Sequence, residues 1–260
     1  MSEPGVVIVT GGSGGLAPGL VAALGDARFE LVVVARDPAR LAAAAAQMSA
    51  SLGRKVAAIP GDVTEAEQAA AIAAEVLSQF GRIDVLVNAA ASSTPIGGAI
   101  EAVEVDALIR DLDTKVGGYL RMIQAVAPAM KGRGFGRIIN IGGLTGRSSN
   151  TLSGLRNAAV AHLTKVLADQ LGSFGVTVNA VHPGIVRTPH LVELFGTLAR
   201  DRDMTPSQVE AEFVADIPTG RLLETIEIGR AVAFLAGADA ASINGESLTV
   251  DGGYSRGVYL

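Results

Sequence analysis

Seven short runs of branched and apolar residues, spread from residue 6 to residue 250, constrain the fold of this chain more than any other feature. They occupy residues 6–9, 31–35, 56–60, 85–88, 137–141, 176–182 and 247–250. Most are continuously apolar instead of alternating, which is how strands read when both faces of their sheet are covered. Between them lie longer stretches with helical periodicity, at 16–24, 38–52, 65–80, 103–131, 153–174 and 227–236. This β-α-β rhythm has no linker, repeat or low-complexity tract. It predicts one Rossmann-type α/β domain over residues 1–260, a doubly wound parallel sheet of about seven strands with helices on both faces.

One segment, residues 189–220, breaks the rhythm after the sixth strand. Within it, Thr205-Pro206-Ser207-Gln208 reads as a helix start, with Thr205 as N-cap, Pro206 at the first helical position and Gln208 closing a capping box. Loops at the carboxyl ends of parallel strands are where such sheets bind ligands, so 189–220 is read as a lid over a substrate.

Composition removes several function classes. A net charge of −5 argues against nucleic acid as the main partner, because phosphate binding needs clustered Lys and Arg. The one dense basic run, 131–137, reads as a solvated helix-to-strand turn. With no cysteine, disulfides, thiolate nucleophiles and cysteine-ligated metals are excluded. His162, His182 and His190 are too scattered for a metal site, so none is expected. The N-terminus enters a strand at once without a basic-apolar leader, and no apolar run reaches the roughly 18 residues of a membrane span. A soluble cytoplasmic protein is the expectation.

The first apolar run leads into Thr10-Gly11-Gly12-Ser13-Gly14-Gly15-Leu16-Ala17, a strand, a glycine loop and a helix start. Gly11 permits a tight turn. Gly15 lets backbone approach a pyrophosphate, whose charge meets the first free N–H groups of the helix near Ser13, Gly15 and Leu16. Ala17 stands at the third small position of the pattern, and Pro18 sits in the first turn where its missing N–H matters little. At the end of the second run, Ala35 offers no carboxylate to a ribose 2′-OH, while Arg36 is suited to a 2′-phosphate. NADP is therefore the preferred cofactor, with NAD as the alternative.

Further motifs follow in order: Asp62-Val63; Asn88-Ala89-Ala90-Ala91; residues 178–184, VNAVHPG, then Thr188; and residues 240–253, ending in Asp251-Gly252-Gly253. Together with the glycine loop they resemble the short-chain dehydrogenase/reductase family across essentially the whole chain. The resemblance implies that Asp62 and Val63 hold an adenine ring and that Asn88, Ala89 and Ala90 line the cofactor. It also implies that Pro183, Gly184, Val186 and Thr188 close on the nicotinamide. It implies a homodimer or homotetramer, built in this family on the fourth and fifth helices.

The same resemblance exposes what is changed. The family uses a tyrosine as proton donor, a lysine four residues later that lowers its pKa and binds the ribose, a serine on the substrate oxygen, and an asparagine for a water relay. The corresponding positions here are Ser153, Asn157, Gly143 and Thr114. A serine hydroxyl is a far poorer acid than a phenol, and Asn157 supplies no charge, though it still bonds a ribose. The loop between Gly143 and Ser153 is also short for the family. Arg147, Arg156 and His190 are the substitutes by position, and Tyr119 is the nearest phenol by topology, read as a core or interface residue. Gly117-Gly118 within the 103–131 helix is expensive for helical backbone and points to close helix–helix approach. The leading reading is an NADP-linked oxidoreductase of a small carbonyl or alcohol with a non-standard catalytic site. A catalytically silent nucleotide-binding partner or sensor subunit, and a non-redox isomerase or lyase on the same scaffold, stay open beside it.

Overall fold

The apolar runs become a single seven-stranded parallel sheet in the computed structural model, which describes residues 5–92, 96–97, 99–146 and 151–257. The strands are β1 (Val6–Thr10), β2 (Glu30–Ala35), β3 (Val56–Pro60), β4 (Val85–Asn88), β5 (Gly136–Ile141), β6 (Val176–Pro183) and β7 (Ser247–Val250). Their order across the sheet is β3-β2-β1-β4-β5-β6-β7, so connectivity reverses between β1 and β4. That junction is where an open parallel sheet leaves a crevice at its carboxyl edge.

Strand residues of successive parity point to opposite faces, and β1 shows why the runs look continuously apolar. Val7 and Val9 enter one core with α1 (Ala17–Asp26), α2 (Pro38–Leu52) and α9 (Thr225–Ala236). Val6 and Ile8 enter another with α3 (Ala66–Phe80), α5 (Gly118–Arg133) and α6 (Gly154–Gly172). Helix α1 approaches α9 so closely that a Cβ at Gly19 would overlap the Thr225 backbone and one at Gly229 would overlap the Gly19 carbonyl. The expected lid segment holds two helices, α7 (Pro189–Asp201) and α8 (Pro206–Ala215), around a small core of Phe195, Ala199, Val209, Ile217 and Leu222. Thr205 and Gln208 form the expected capping box at the start of α8. Among the described residues no helix is long and apolar enough to cross a membrane.

The stretch expected as one helix over 103–131 is instead two. Helix α4 (Val105–Leu112) and α5 are joined by a π-helical turn, Asp113–Gly117, which inserts extra backbone and rotates the side chains that follow. Gly117 permits it, since a Cβ there would lie 2.7 Å from Asp113 Oδ1 and 2.8 Å from an Arg121 guanidinium nitrogen. Gly118 is explained by close approach too, but not to a helix: its Cβ would lie 2.7 Å from a methyl of Val63, just beyond β3. The remaining strands and helices end within about two residues of their expected limits.

Candidate active site

The carboxyl edge of the sheet opens into a cleft of about 1540 Å³ that runs from Gly11–Leu16, past Arg36 and Asp62-Val63, to Thr188–His190. The junction beneath it is clamped by Thr10, whose hydroxyl accepts from the backbone N–H groups of Ala89 (3.0 Å) and Ala90 (3.2 Å). Asn88 donates to Asn140 at 2.9 Å, and Asn140 donates to Thr164 at 3.0 Å, so a buried polar ladder ties β4, β5 and α6 together. Each rung satisfies a group that burial would otherwise penalise.

The glycine loop is shaped by contact as well as by torsion. Gly11 has φ +73°, and a Cβ on it would sit 2.7 Å from the Ala89 carbonyl oxygen. A Cβ on Gly15 would meet Thr188 at 2.9 Å, so the loop after β6 reaches across to the loop after β1. Leu16 leads into α1 without a side-chain cap, leaving the helix N-terminus to whatever fills the cleft. Thr188 caps α7 by accepting from Leu191 N–H at 3.3 Å, and Val186 bridges to Leu223. Gly184 leaves room for Asp251, 2.7 Å from where its Cβ would be. Pro183 ends β6 in the interior.

Around the adenosine end of the cleft, Asp62 is held by Thr64, whose N–H and hydroxyl donate to it at 2.9 and 2.8 Å. Arg36 is 71% exposed and only 3.9 Å-paired with Asp62, so its guanidinium keeps most of its donors for another acceptor. Asp37 lines the cleft beside it, and one of its carboxylate oxygens caps α2, accepting from Ala39 and Arg40 N–H at 3.0 Å each.

The residues aligned with the family's chemistry divide. Ser153 is buried, and its hydroxyl accepts from Ile96 N–H at 2.8 Å while Leu152 N–H donates to Ile96 O at 2.9 Å. It ties two loops together. Thr114 lines the cleft but donates its hydroxyl to Arg110 O at 2.9 Å. Gly143 lies against Asn157, 2.9 Å from its amide nitrogen to a notional Cβ, so a serine there would collide with the Asn157 side chain. Tyr119 is buried and donates to Ile141 O at 2.9 Å; burial pushes its phenol well above the usual value, so it is not an acid for this site. Arg147 lies outside the described residues. His190 is on the exposed rim of the cleft, and Arg156 is turned inward to an ion pair with Asp111 and to Ser92 O at 3.3 Å.

The residue that sequence reasoning passed over is Lys115. The π-turn carries it into the interior, where it is 4% exposed and donates to Gly142 O at 2.9 Å and to Asn157 Oδ1 at 2.8 Å. A cation from the turn before α5 thus lies against the Asn157 side chain on α6. Burial holds its pKa far below the ordinary lysine value, at about 7; the Arg156 guanidinium lowers it further and Asp111 opposes them. The one trace in the sequence is the four-residue spacing of Asp111, Lys115 and Tyr119, all three buried, and it is masked by the other charges of the stretch at Asp106, Arg110 and Asp113.

The Asn157 amide continues outward. Its nitrogen donates to Thr145 Oγ1 at 2.6 Å, and Thr145 lies exposed just beyond the carboxyl end of β5. His182, from β6, stands on the other side of the same turn, with Gly143 N–H 3.2 Å from its Nδ1.

Comparison with known proteins agrees with this architecture. Residues 11–255 match the family model described as enoyl-(acyl carrier protein) reductase. The chain is similar to the short-chain reductase protein NovJ of Streptomyces niveus, 34% identical over 97% of this chain and 95% of the relative. It is similar to nodulation protein G of Azospirillum brasilense, 31% identical over 95% and 97% of the two chains. Among solved structures it resembles a substituted actinorhodin polyketide ketoreductase with NADPH, with a TM-score of 0.90, 28% identity and 98% of each chain covered.

Proposed function

Because the chain belongs to the short-chain dehydrogenase/reductase family, we propose that it is an NADP-preferring oxidoreductase of a small carbonyl or alcohol substrate with a re-sited catalytic cation. The observation that carries this reading is the cleft at the β1/β4 junction, with its side-chain-free loop, uncapped helix and Thr188 opposite. These features fit a dinucleotide. Ser13, Gly15 and Leu16 would take the pyrophosphate, Asp62 and Val63 the adenine, Asn88 to Ala90 the ribose side, and the 183–188 loop the nicotinamide. A bound reduced nicotinamide supplies hydride to a carbonyl carbon. The chain's own residues must hold the substrate oxygen, exclude solvent and balance charge. Lys115 supports the last of these, replacing the charge lost at Asn157.

NADP over NAD is supported by the exposed, loosely paired Arg36. Helix α7 acts as the lid in this reading, presenting Pro189, His190 and Glu193 to the cleft beside its cap Thr188, with α8 packed against it away from the cleft. A second copy of the chain would cover the exposed Val105, Ile109 and Leu155 on α4 and α6. Titrating the purified protein with NADPH and NADH, then following cofactor oxidation across a panel of ketones and aldehydes, tests the proposal. Tighter NADPH binding with turnover of a carbonyl is expected. Absence of nucleotide binding would overturn it, and tight binding with no turnover across the panel would favour the silent-subunit reading.

A further inference from the structure

Resting on that oxidoreductase reading, we propose that Thr145 is the hydroxyl that holds the substrate oxygen, and that Lys115 and Asn157 position and polarise it from below.

The direction of the hydrogen bonds carries the inference. A lysine ammonium has donors and no acceptor, so the atom of Asn157 facing it must be the amide oxygen. The amide nitrogen is therefore turned to Thr145, and it can only donate. Thr145 Oγ1 accepts that bond, which leaves its own O–H pointing away from Asn157. Thr145 is exposed, on the same carboxyl edge of the sheet as Gly11–Leu16 and Ala89-Ala90. Every bond from the buried cation to the surface is thus oriented the same way, with positive charge at the inner end and, at the outer end, a hydroxyl proton that finds no acceptor among the described residues. Chains aligned like this strengthen one another in a low-dielectric setting.

Such a chain suits an oxygen that gains negative charge. When a carbonyl is reduced, its carbon takes a hydride from the dihydronicotinamide named above and the C=O π pair moves onto oxygen. The O–H of Thr145 donates to that alkoxide, and a water in the cleft then protonates it, releasing hydroxide to the solvent. No proton passes through the Asn157 amide, which serves as a dipole. The preferred substrate class is accordingly an unhindered ketone or aldehyde, not one needing a strong acid at the oxygen.

The surroundings also explain why the family's serine has no place here. A side chain at Gly143 would strike Asn157, and one at Gly146 would strike the backbone of Asn157 and Ala158 at 2.9 and 2.8 Å. The turn after β5 has settled onto α6, bringing Thr145 two residues further along into reach of Asn157. The charged and titratable groups facing Lys115 are Asp111 from α4, Arg156 from α6, Tyr119 from α5, and His182 across the Gly142-Gly143 turn. With its partner Asp111 satisfied by Arg156, the cluster keeps one net positive charge while Lys115 is protonated and none once it is not.

The test uses wild type, Thr145→Val, Thr145→Ser and Lys115→Met. Steady-state rates are measured from about pH 5.5 to about pH 9, and binding of 4-nitrophenol, whose anion absorbs visibly, is measured with NADP⁺ present. Thr145→Val should lower kcat about 100-fold, the loss typical of one oxyanion donor, with KM for the nucleotide unchanged. It should also weaken binding of the phenolate at least about tenfold, while Thr145→Ser restores both. In wild type the rate should fall as pH rises through the Lys115 titration, and Lys115→Met should abolish that limb and flatten the pH dependence of phenolate binding relative to wild type. Wild-type phenolate affinity in Thr145→Val, failure of Thr145→Ser to restore it, or an unchanged pH profile in Lys115→Met would overturn the inference. The nucleotide titration tests the parent reading separately, because Thr145 and Lys115 do not line the nucleotide loop; phenolate binding decides the role of Thr145 even in a protein that turns over none of the carbonyls tried.

Discussion

Replacing Lys115 by methionine should alter how stability depends on pH, because the native state holds this lysine where an ammonium is poorly solvated. Its pKa falls from 10.5 in an unfolded chain to about 7 in the fold, beside Arg156 and Asp111. Between those values the unfolded chain binds a proton that the native protein does not. Stability therefore rises with pH across that window, and the full penalty applies below about pH 7. At about 1.4 kcal/mol per pH unit, the whole window corresponds to about 5 kcal/mol, and the part between about pH 9 and about pH 6 to about 2.5 kcal/mol. Methionine keeps the chain length and removes the titration. It leaves Gly142 O and Asn157 Oδ1 without their donor, an offset of about 1–3 kcal/mol per buried acceptor that does not change with pH. Urea unfolding of both proteins at a series of pH values isolates the titration as the difference between the two curves. Wild type should lose about 2.5 kcal/mol relative to Lys115→Met on going from about pH 9 to about pH 6. Parallel curves would refute a buried, depressed lysine.

Arg36→Ala should weaken NADPH binding about tenfold or more and leave NADH nearly unchanged, since a 2′-phosphate forms charge-assisted bonds that a ribose hydroxyl does not. Fluorescence titration with both nucleotides checks it, and equal losses for the two would count against the assignment. Ser153→Ala should lower stability by about 1–3 kcal/mol by orphaning Ile96 N–H, while kcat stays within about twofold of wild type. A collapse of kcat in a folded Ser153→Ala protein would show that this hydroxyl does chemistry after all.

Much of the fold was legible because a sheet covered on both faces prints itself on the sequence as apolar runs, and Val6 through Val9 need no further context to be recognised. The cofactor edge was legible for a related reason: backbone that must turn tightly or approach closely demands glycine, as at Gly11 and Gly15. The resemblance directed attention to Gly143 and Asn157, which lie in contact in the structure. Lys115 was not legible. A π-turn changes which residues of a helix face inward, and a period of 3.6 residues cannot register that change. Nor was Thr145, whose significance depends on a bond to Asn157, distant in sequence. Gly117-Gly118 does mark close approach, but not of a second helix: Gly117 makes room for the Asp113 and Arg121 side chains, and Gly118 for the Val63 side chain beyond β3.

The contact between Gly19 and Gly229 sets an order of events during synthesis. Helix α1, which borders the cleft, is made well before the helix it rests on, with five strands of the sheet between them. Until α9 arrives, the α1 face that bears Gly19 and Ala23 has nothing to lie against, although the sheet beneath it can already pair from β1 to β6. Joining distant ends of a chain in this way is slow and leaves apolar surface open meanwhile. With most of the sheet assembled, the face of α1 that meets α9 is still uncovered, and the cleft that α1 borders becomes firm only when α9 closes over it.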